Sequence, residues 1–508
     1  GEGGSGVGLV GGGSVTNSGT IQGYNNVNGG ANANGIGVAI TEFAGAIDPD
    51  ATGIGSILND EDGTIEGQTF GIVLSGGGTI ENDGLVRSTG AFNPATGITP
   101  IGIVMGASED QEGRIATLDN NGVVVGFLGI VAGGQIDATI NNGGIINGPA
   151  IGIIGQSTGT LAINNAEDAE IASGGVAIAA NTSTLVLNNA GTIRGQNQSG
   201  VNILTADAVI ENSGTIQGGQ SGITTNLAQF NPGVFEALAA NTSVINSGTI
   251  IGNGGAAVSL AGGGSVANNG LIQGFTSANG TPGIGVAISE FAGAVDPDAT
   301  GVGSIVNDED GVIEGQQFGV VLQGGGTIDN NGGQIRSTGQ YDPANPGTVP
   351  FGVVMGATEE QLGRSATLNN DHGVVQGFFA VLAGGSLEST TINNDGIIVG
   401  QAGAILGQST GDLIVNNAEG AEIIAGGNGI SANTSTLTVE NAGTIRGQNQ
   451  NGMNILTPHA VINNSGTIEG GQFGITTNPF QVAPNQFEGR AVNTSVTNSG
   501  TIIGNNDD

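Results

Sequence analysis

The sequence predicts an all-β protein: a right-handed parallel β-helix (solenoid) of about 18 coils, in two tandem nine-coil blocks with inserted loops. Three observations predict it. A short asparagine-led motif recurs at a nearly fixed period along the whole chain. Each period carries three short aliphatic segments in a polar, glycine-rich setting. The composition suits a thin coil, with 101 Gly, 37% hydrophobic residues and only 3% aromatic ones among 508 residues.

The motif is clearest at Asn17-Ser18-Gly19-Thr20-Ile21-Gln22-Gly23. Its leading asparagine returns as Asn59, Asn82, Asn120, Asn142, Asn165, Asn189, Asn212 and Asn246. It continues as Asn268, Asn307, Asn331, Asn370, Asn394, Asn417, Asn441, Asn464 and Asn498. Eleven of the seventeen gaps are 22 to 24 residues, and the other six are 34 to 42. Four residues after most of these asparagines comes an aliphatic residue, such as Ile21, Val86, Val124 or Ile216. Its polar or glycine neighbours make it the one inward side chain of a short half-buried strand. The glycine two places after the asparagine is expected to mark a corner with a positive φ angle. Asparagines stacked coil on coil are expected to pair amide to amide in a ladder.

Two further segments complete each period. Thr160-Leu161-Ala162-Ile163-Asn164 precedes the motif, and Gly200-Val201-Asn202-Ile203-Leu204 follows another copy. Three strands and three corners in about 22 residues cannot bury their apolar side chains alone. They must wind and stack, with parallel strands about 4.8 Å apart. The crossover preference makes the winding right-handed. Eighteen coils at that rise make a rod of about 85 Å.

A longer repeat is superimposed. Val38-Ala39-Ile40-Thr41-Glu42-Phe43-Ala44-Gly45 returns as Val286-Ala287-Ile288-Ser289-Glu290-Phe291-Ala292-Gly293. The chain therefore divides into block 1, residues 1–252, and block 2, residues 253–508, of one continuous solenoid. The long gaps recur at matching places. They hold insertions at 24–35, 41–56, 88–100, 105–116 and 224–243, the third and fourth flanking a strand at 101–104. The later set is 275–283, 289–304, 337–350, 355–366 and 476–495. Loops of this kind are where a binding surface is expected.

Charge narrows the setting. Seven arginines and no lysine stand against 43 acidic residues, for a net charge of −36. Nucleic acid and anionic membrane surfaces are excluded as partners on that balance. No run of 18 apolar residues occurs, so no membrane insertion is expected of this chain. Cysteine is absent, which removes disulfides, thiol catalysis and cysteine metal sites. An acidic, cysteine-free repeat fits a secreted or cell-surface bacterial protein. The first residues match the strand that would follow the last, so the coil is expected to continue at both ends. Two explanations fit: the chain is cut from a longer tandem array, or subunits stack end to end, and an open head-to-tail contact of the second kind builds a filament.

The motif Asn-x-Gly-Thr-Ile-x-Gly, the 22-residue coil and the lack of cysteine resemble the right-handed β-helix passenger regions of bacterial autotransporters and filamentous adhesins. The resemblance covers nearly the whole chain. It implies export across a bacterial envelope and display as a rod. Nothing resembles the C-terminal membrane barrel of an autotransporter.

Candidate sites are few. Asp48, Asp50, Asp60, Glu61 and Asp62 cluster in the first block, and Asp296, Asp298, Asp308, Glu309 and Asp310 repeat them in the second. Hard oxygen donors at close spacing point to Ca²⁺ as a bound metal. The arginines recur in register, Arg87 with Arg336, Arg114 with Arg364 and Arg194 with Arg446, and are expected to pair with carboxylates on neighbouring coils. His372 and His459 lie nearly four coils apart, and no acid pair stands out, so no catalytic residue is assigned and no enzyme is expected. The expected function is structural: an extracellular rod or filament assembled head to tail with copies of itself. The alternative is a surface adhesin that takes glycan or protein through its inserted loops.

Overall fold

Three strands make one coil, and the coil repeats. In a representative coil Thr160–Asn165 leads into Glu170–Ser173 and then Val176–Ala180. The computed structural model describes residues 4–24, 35–42, 53–95, 98–107, 113–225, 241–289, 301–344, 348–357, 363–477 and 493–505. It also gives the backbone of the short strands Ala228–Asn231, Val234–Glu236, Phe480–Ala483 and Gln486–Glu488.

Successive coils pair in parallel and in constant register, save for one bulge between Gly377 and Phe379, where Val374–Gly385 pairs with Ile397–Ser409. Thr160 lies opposite Thr184, and Asn165 opposite Asn189. Ile171 faces Ile193, and Ile178 faces Val201. Side chains alternate across each strand, so Leu161, Ile163, Ile171 and Ile178 all point inward and are fully buried. Burying each such side chain contributes about 1.5–3 kcal/mol, which no coil could collect without neighbours. This is a parallel β-solenoid. One antiparallel hairpin joins Phe480–Ala483 to Gln486–Glu488 within an insertion. Among the described residues no helix is long and apolar enough to cross a membrane.

The contacts divide the chain into two compact units. The first contains residues 1–228, 241–244 and 249–251, and the second contains 229–240, 245–248 and 252–508. In the first, Asn17, Asn59, Asn82, Asn120, Asn142, Asn165, Asn189 and Asn212 form a buried ladder. Each Nδ2 donates to the Oδ1 of the next at 2.7–2.8 Å. In the second, the ladder runs from Asn246 through Asn268, Asn307, Asn330, Asn370, Asn394, Asn417, Asn441 and Asn464 to Asn498, at 2.7–2.9 Å.

One rung corrects the sequence reading. The ladder residue is Asn330, which is fully buried, and not Asn331. Asn330 lies opposite Asn307 and Asn370, whereas Asn331 faces outward and donates to Asp308 Oδ1 at 3.3 Å. The motif spacing misleads because the corner varies in length. Asn17 donates to the carbonyl of Gly19, Asn330 to that of Gly333 and Asn59 to that of Gly63. In every case the acceptor is the residue just before the next strand. Strand phase, not the Asn-x-Gly spacing, defines the slot.

The motif glycine is also not what its sequence suggests. Gly84, Gly122, Gly144 and Gly214 do not take positive φ. A Cβ at Gly122 would stand 2.0 Å from the carbonyl oxygen of Gly84, and one at Gly144 would stand 2.1 Å from that of Gly122. Glycine is required because successive corners touch backbone to backbone. Positive φ occurs instead one corner earlier, at Gly76-Gly77-Gly78, with φ of 152°, 80° and 123°.

Gly122→Ala is therefore expected to destabilise the first unit by about 1–3 kcal/mol or more through overpacking. Gly19→Ala fills the same motif slot with nothing within 4 Å and is expected to be close to neutral. Denaturant unfolding of the two variants checks the contrast. Equal effects would show that corner contact is not the cause.

Candidate functional site

A second, outer row of amides runs beside the buried ladder. In the first unit Asn141 donates to Asp119 Oδ1 at 2.7 Å, Asn164 to Asn141 at 2.8 Å and Asn188 to Asn164 at 2.8 Å. In the second unit Asn369 donates to Asp329 at 2.6 Å, Asn393 to Asn369 at 2.7 Å and Asn416 to Asn393 at 2.7 Å. Each outer residue directly precedes a ladder residue, so it points outward while its neighbour points in. The two rows run in opposite senses. The buried amides donate toward the C-terminal coil, and the outer ones donate back toward an aspartate. That carboxylate is an acceptor only, so it ends the row with a charge-assisted bond. The sequence signal for this row is the repeated pair Asn-Asn, as in Asn141-Asn142 and Asn393-Asn394.

In the second unit this row forms one wall of an open groove of about 670 Å³. The buried ladder is its floor. The residues that follow each ladder asparagine make the other wall, from Asp371 and Asp395 through Ala418 and Ala442 to Ser465 and Ser499.

Beside the groove, at the Asn370 corner, lies a cluster of ionisable groups. The corner holds two residues, Asp371 and His372, before Gly373. His372 takes φ of 55°, and its Nδ1 meets Asp371 Oδ1 at 2.5 Å. Asp395 belongs to the next coil's corner. The hydrogen bond that the ring donates to Asp371, then the charges of Asp371 and Asp395, hold the His372 imidazole pKa above its usual 6.5. Both residues are well exposed.

The sequence-predicted sites are placed as follows. Asp48, Asp50, Asp296 and Asp298 lie outside the described residues. Asp60, Glu61 and Asp62 occupy the lengthened corner between Asn59 and Gly63, and Asp308, Glu309 and Asp310 occupy its counterpart before Gly311. All but half-buried Asp60 are exposed. The Asp60 carbonyl accepts from the Gly63 N–H at 2.7 Å and closes that turn. Among the described residues, the carboxylates of these six do not by themselves gather three donor atoms within 4.8 Å.

Four of the arginines pair across neighbouring coils, whereas Arg114 and Arg364, also expected to pair, make no such ion pair among the described residues. Arg87 Nε donates to Glu66 at 2.7 Å and Arg336 Nε to Glu314 at 2.6 Å, with both glutamates buried. Arg194 reaches back to Glu170 at 3.0 Å, whereas Arg446 reaches forward to Glu469 at 2.8 Å. The difference follows from register. Gln217 stands opposite Arg194 where Glu469 stands opposite Arg446. Arg490 lies outside the described residues.

Two insertions dock on the coil surface through aromatic rings. Phe92 stacks on Phe127 at 4.5 Å, and Tyr341 on Phe378 at 4.8 Å. The strand between the insertions is longer than expected, running Ile101–Ala107. Comparisons with family models, with curated proteins and with solved structures return no match.

Two outcomes are expected. Asn165→Ala leaves the Asn142 Nδ2 and the Asn189 Oδ1 without their buried partners and should cost about 2–5 kcal/mol. Asn164→Ala, one residue earlier on the outer row, should cost about 0.5–1.5 kcal/mol. Denaturant midpoints of the two variants check this, and equal losses would count against the ladder as the stronger element. Separately, NMR titration of His372 should give a midpoint above 6.5 that falls in Asp371→Asn. Because the folded value is raised, the contact adds stability below pH 6.5, and that stability is lost as pH rises through the folded value.

Proposed function

We propose that this protein is a structural β-solenoid of the bacterial exterior, building a filament by parallel continuation of its coils. The observation that carries the reading is that the coils from Asn246 to Asn464 meet their successors in one way, by parallel strands and by a buried amide that donates to the next. A contact that repeats along the chain is one that a coil of another copy can also make. The filament reading extends it to a second copy, in a heterologous contact that does not close.

The acidic composition and the resemblance to autotransporter passenger regions support secretion or surface display. A second reading, an adhesin that holds glycan or protein on its insertions, draws on the docked rings. Phe92 remains 45% exposed above Phe127 and offers an aromatic face.

Sedimentation and electron microscopy of the purified chain separate the two. The structural reading expects filaments whose mean length grows with protein concentration. Particles of one size at all concentrations would overturn it, and retention on a glycan array by such particles would favour adhesion.

A further inference from the structure

We propose that Asp371, His372 and Asp395 form a surface site for a borderline divalent metal ion of the zinc type. Among the described residues this is the one group in which three potential ligand atoms all lie within 4.8 Å of one another. It draws one imidazole nitrogen and two carboxylate oxygens from consecutive corners of the second unit.

The fold builds the group through a single extra residue. Most corners place one residue between the ladder asparagine and its glycine. At Asn370 there are two, and the second is a histidine in the left-handed region. His372 also bridges to Asn331 on the preceding coil, which anchors its backbone. Strand register then places the Asp395 corner directly beyond, because Asn370 lies opposite Asn394. At the comparable corner Asn330-Asn331-Gly332-Gly333, glycine takes the left-handed position and no imidazole is present. The first block has the one-residue corner Asn120-Asn121-Gly122 at the matching place, with neither histidine nor carboxylate, so the site belongs to the second unit alone.

The donor set selects the metal class. Ca²⁺ and Mg²⁺ prefer oxygen ligands alone, whereas an imidazole nitrogen suits zinc and its neighbours. Two carboxylates and a neutral imidazole balance a dication. The metal takes the place of the contact between His372 Nδ1 and Asp371 Oδ1, and any proton that the nitrogen carries goes to solvent. Three protein ligands leave a fourth position for water or for a donor from outside the chain. Because Asp371 and Asp395 also line the groove, a ligand lying there can reach that position. This zinc-type site is separate from the Ca²⁺ expectation at Asp60–Asp62 and Asp308–Asp310, and it does not depend on filament formation.

Calorimetric titration of the chelator-stripped full chain with zinc chloride at mildly alkaline pH tests the proposal. The expected result is a saturable isotherm with one equivalent that survives excess calcium chloride. His372→Asn and Asp395→Asn should each remove that equivalent, with unchanged melting temperatures because both positions are exposed. In wild-type protein the His372 ring resonances should shift with zinc and not with calcium. No saturable isotherm would overturn the proposal. So would an isotherm unchanged in either variant, or one that calcium abolishes. If a variant melts early, Asp371→Asn and the ring resonances of the wild-type protein give the same decision.

Discussion

A carboxamide buried in the wall of a coil must satisfy two N–H donors and one carbonyl oxygen. Its N–H groups are met by the carbonyl at its own corner, by the same side chain one coil away and by a strand carbonyl of that next coil, as at Asn165. That requirement is the constraint on which this protein rests. It ties each coil to the next at one fixed height and one fixed phase, since slipping a strand by one residue would turn every ladder asparagine outward. The aliphatic interior supplies most of the driving force but little direction, because Ile, Val and Leu pack in many registers. The amide ladder selects one. The stacked glycines then let the corners approach closely enough for the amide contacts to form.

The outer row uses the same chemistry for a different end. Its amides are half in water, so each contact is worth less, but the row carries the surface pattern of one face of the sheet. Running it against the buried ladder sets the two series of amide dipoles antiparallel, side by side. Starting each outer row on an aspartate fixes its polarity with a single charge. The four cross-coil arginine pairs share this logic. A basic residue in a strongly acidic chain finds its partner one coil up or down, and register decides which.

Much of this could be read in the chain before any coordinates. The period, the three strands per coil, the inward Ile and Val positions, the ladder and the arginine pairs all follow from alternation and spacing. What could not be read depended on contacts between coils. The role of Gly122 is a distance to Gly84, and local sequence points instead to a turn. Asn330 and Asn331 are indistinguishable by composition, and only the strand phase set by Ile328 separates them. The outer row was visible as a string of Asn-Asn pairs, but its direction and its terminal aspartates require atoms. The acids at Asp60–Asp62 could be placed on a corner from spacing alone.

The corner that follows each ladder asparagine accepts one, two or three intervening residues while keeping the same donor and the same acceptor. Such elasticity separates the length of the polypeptide from the geometry of the stack. A gene encoding repeats of this kind can gain or lose a whole period by unequal recombination, or a codon at a bend, and each product still winds in phase. Duplication of a long segment, of which the two similar halves are the visible trace, then needs no repair at its junction.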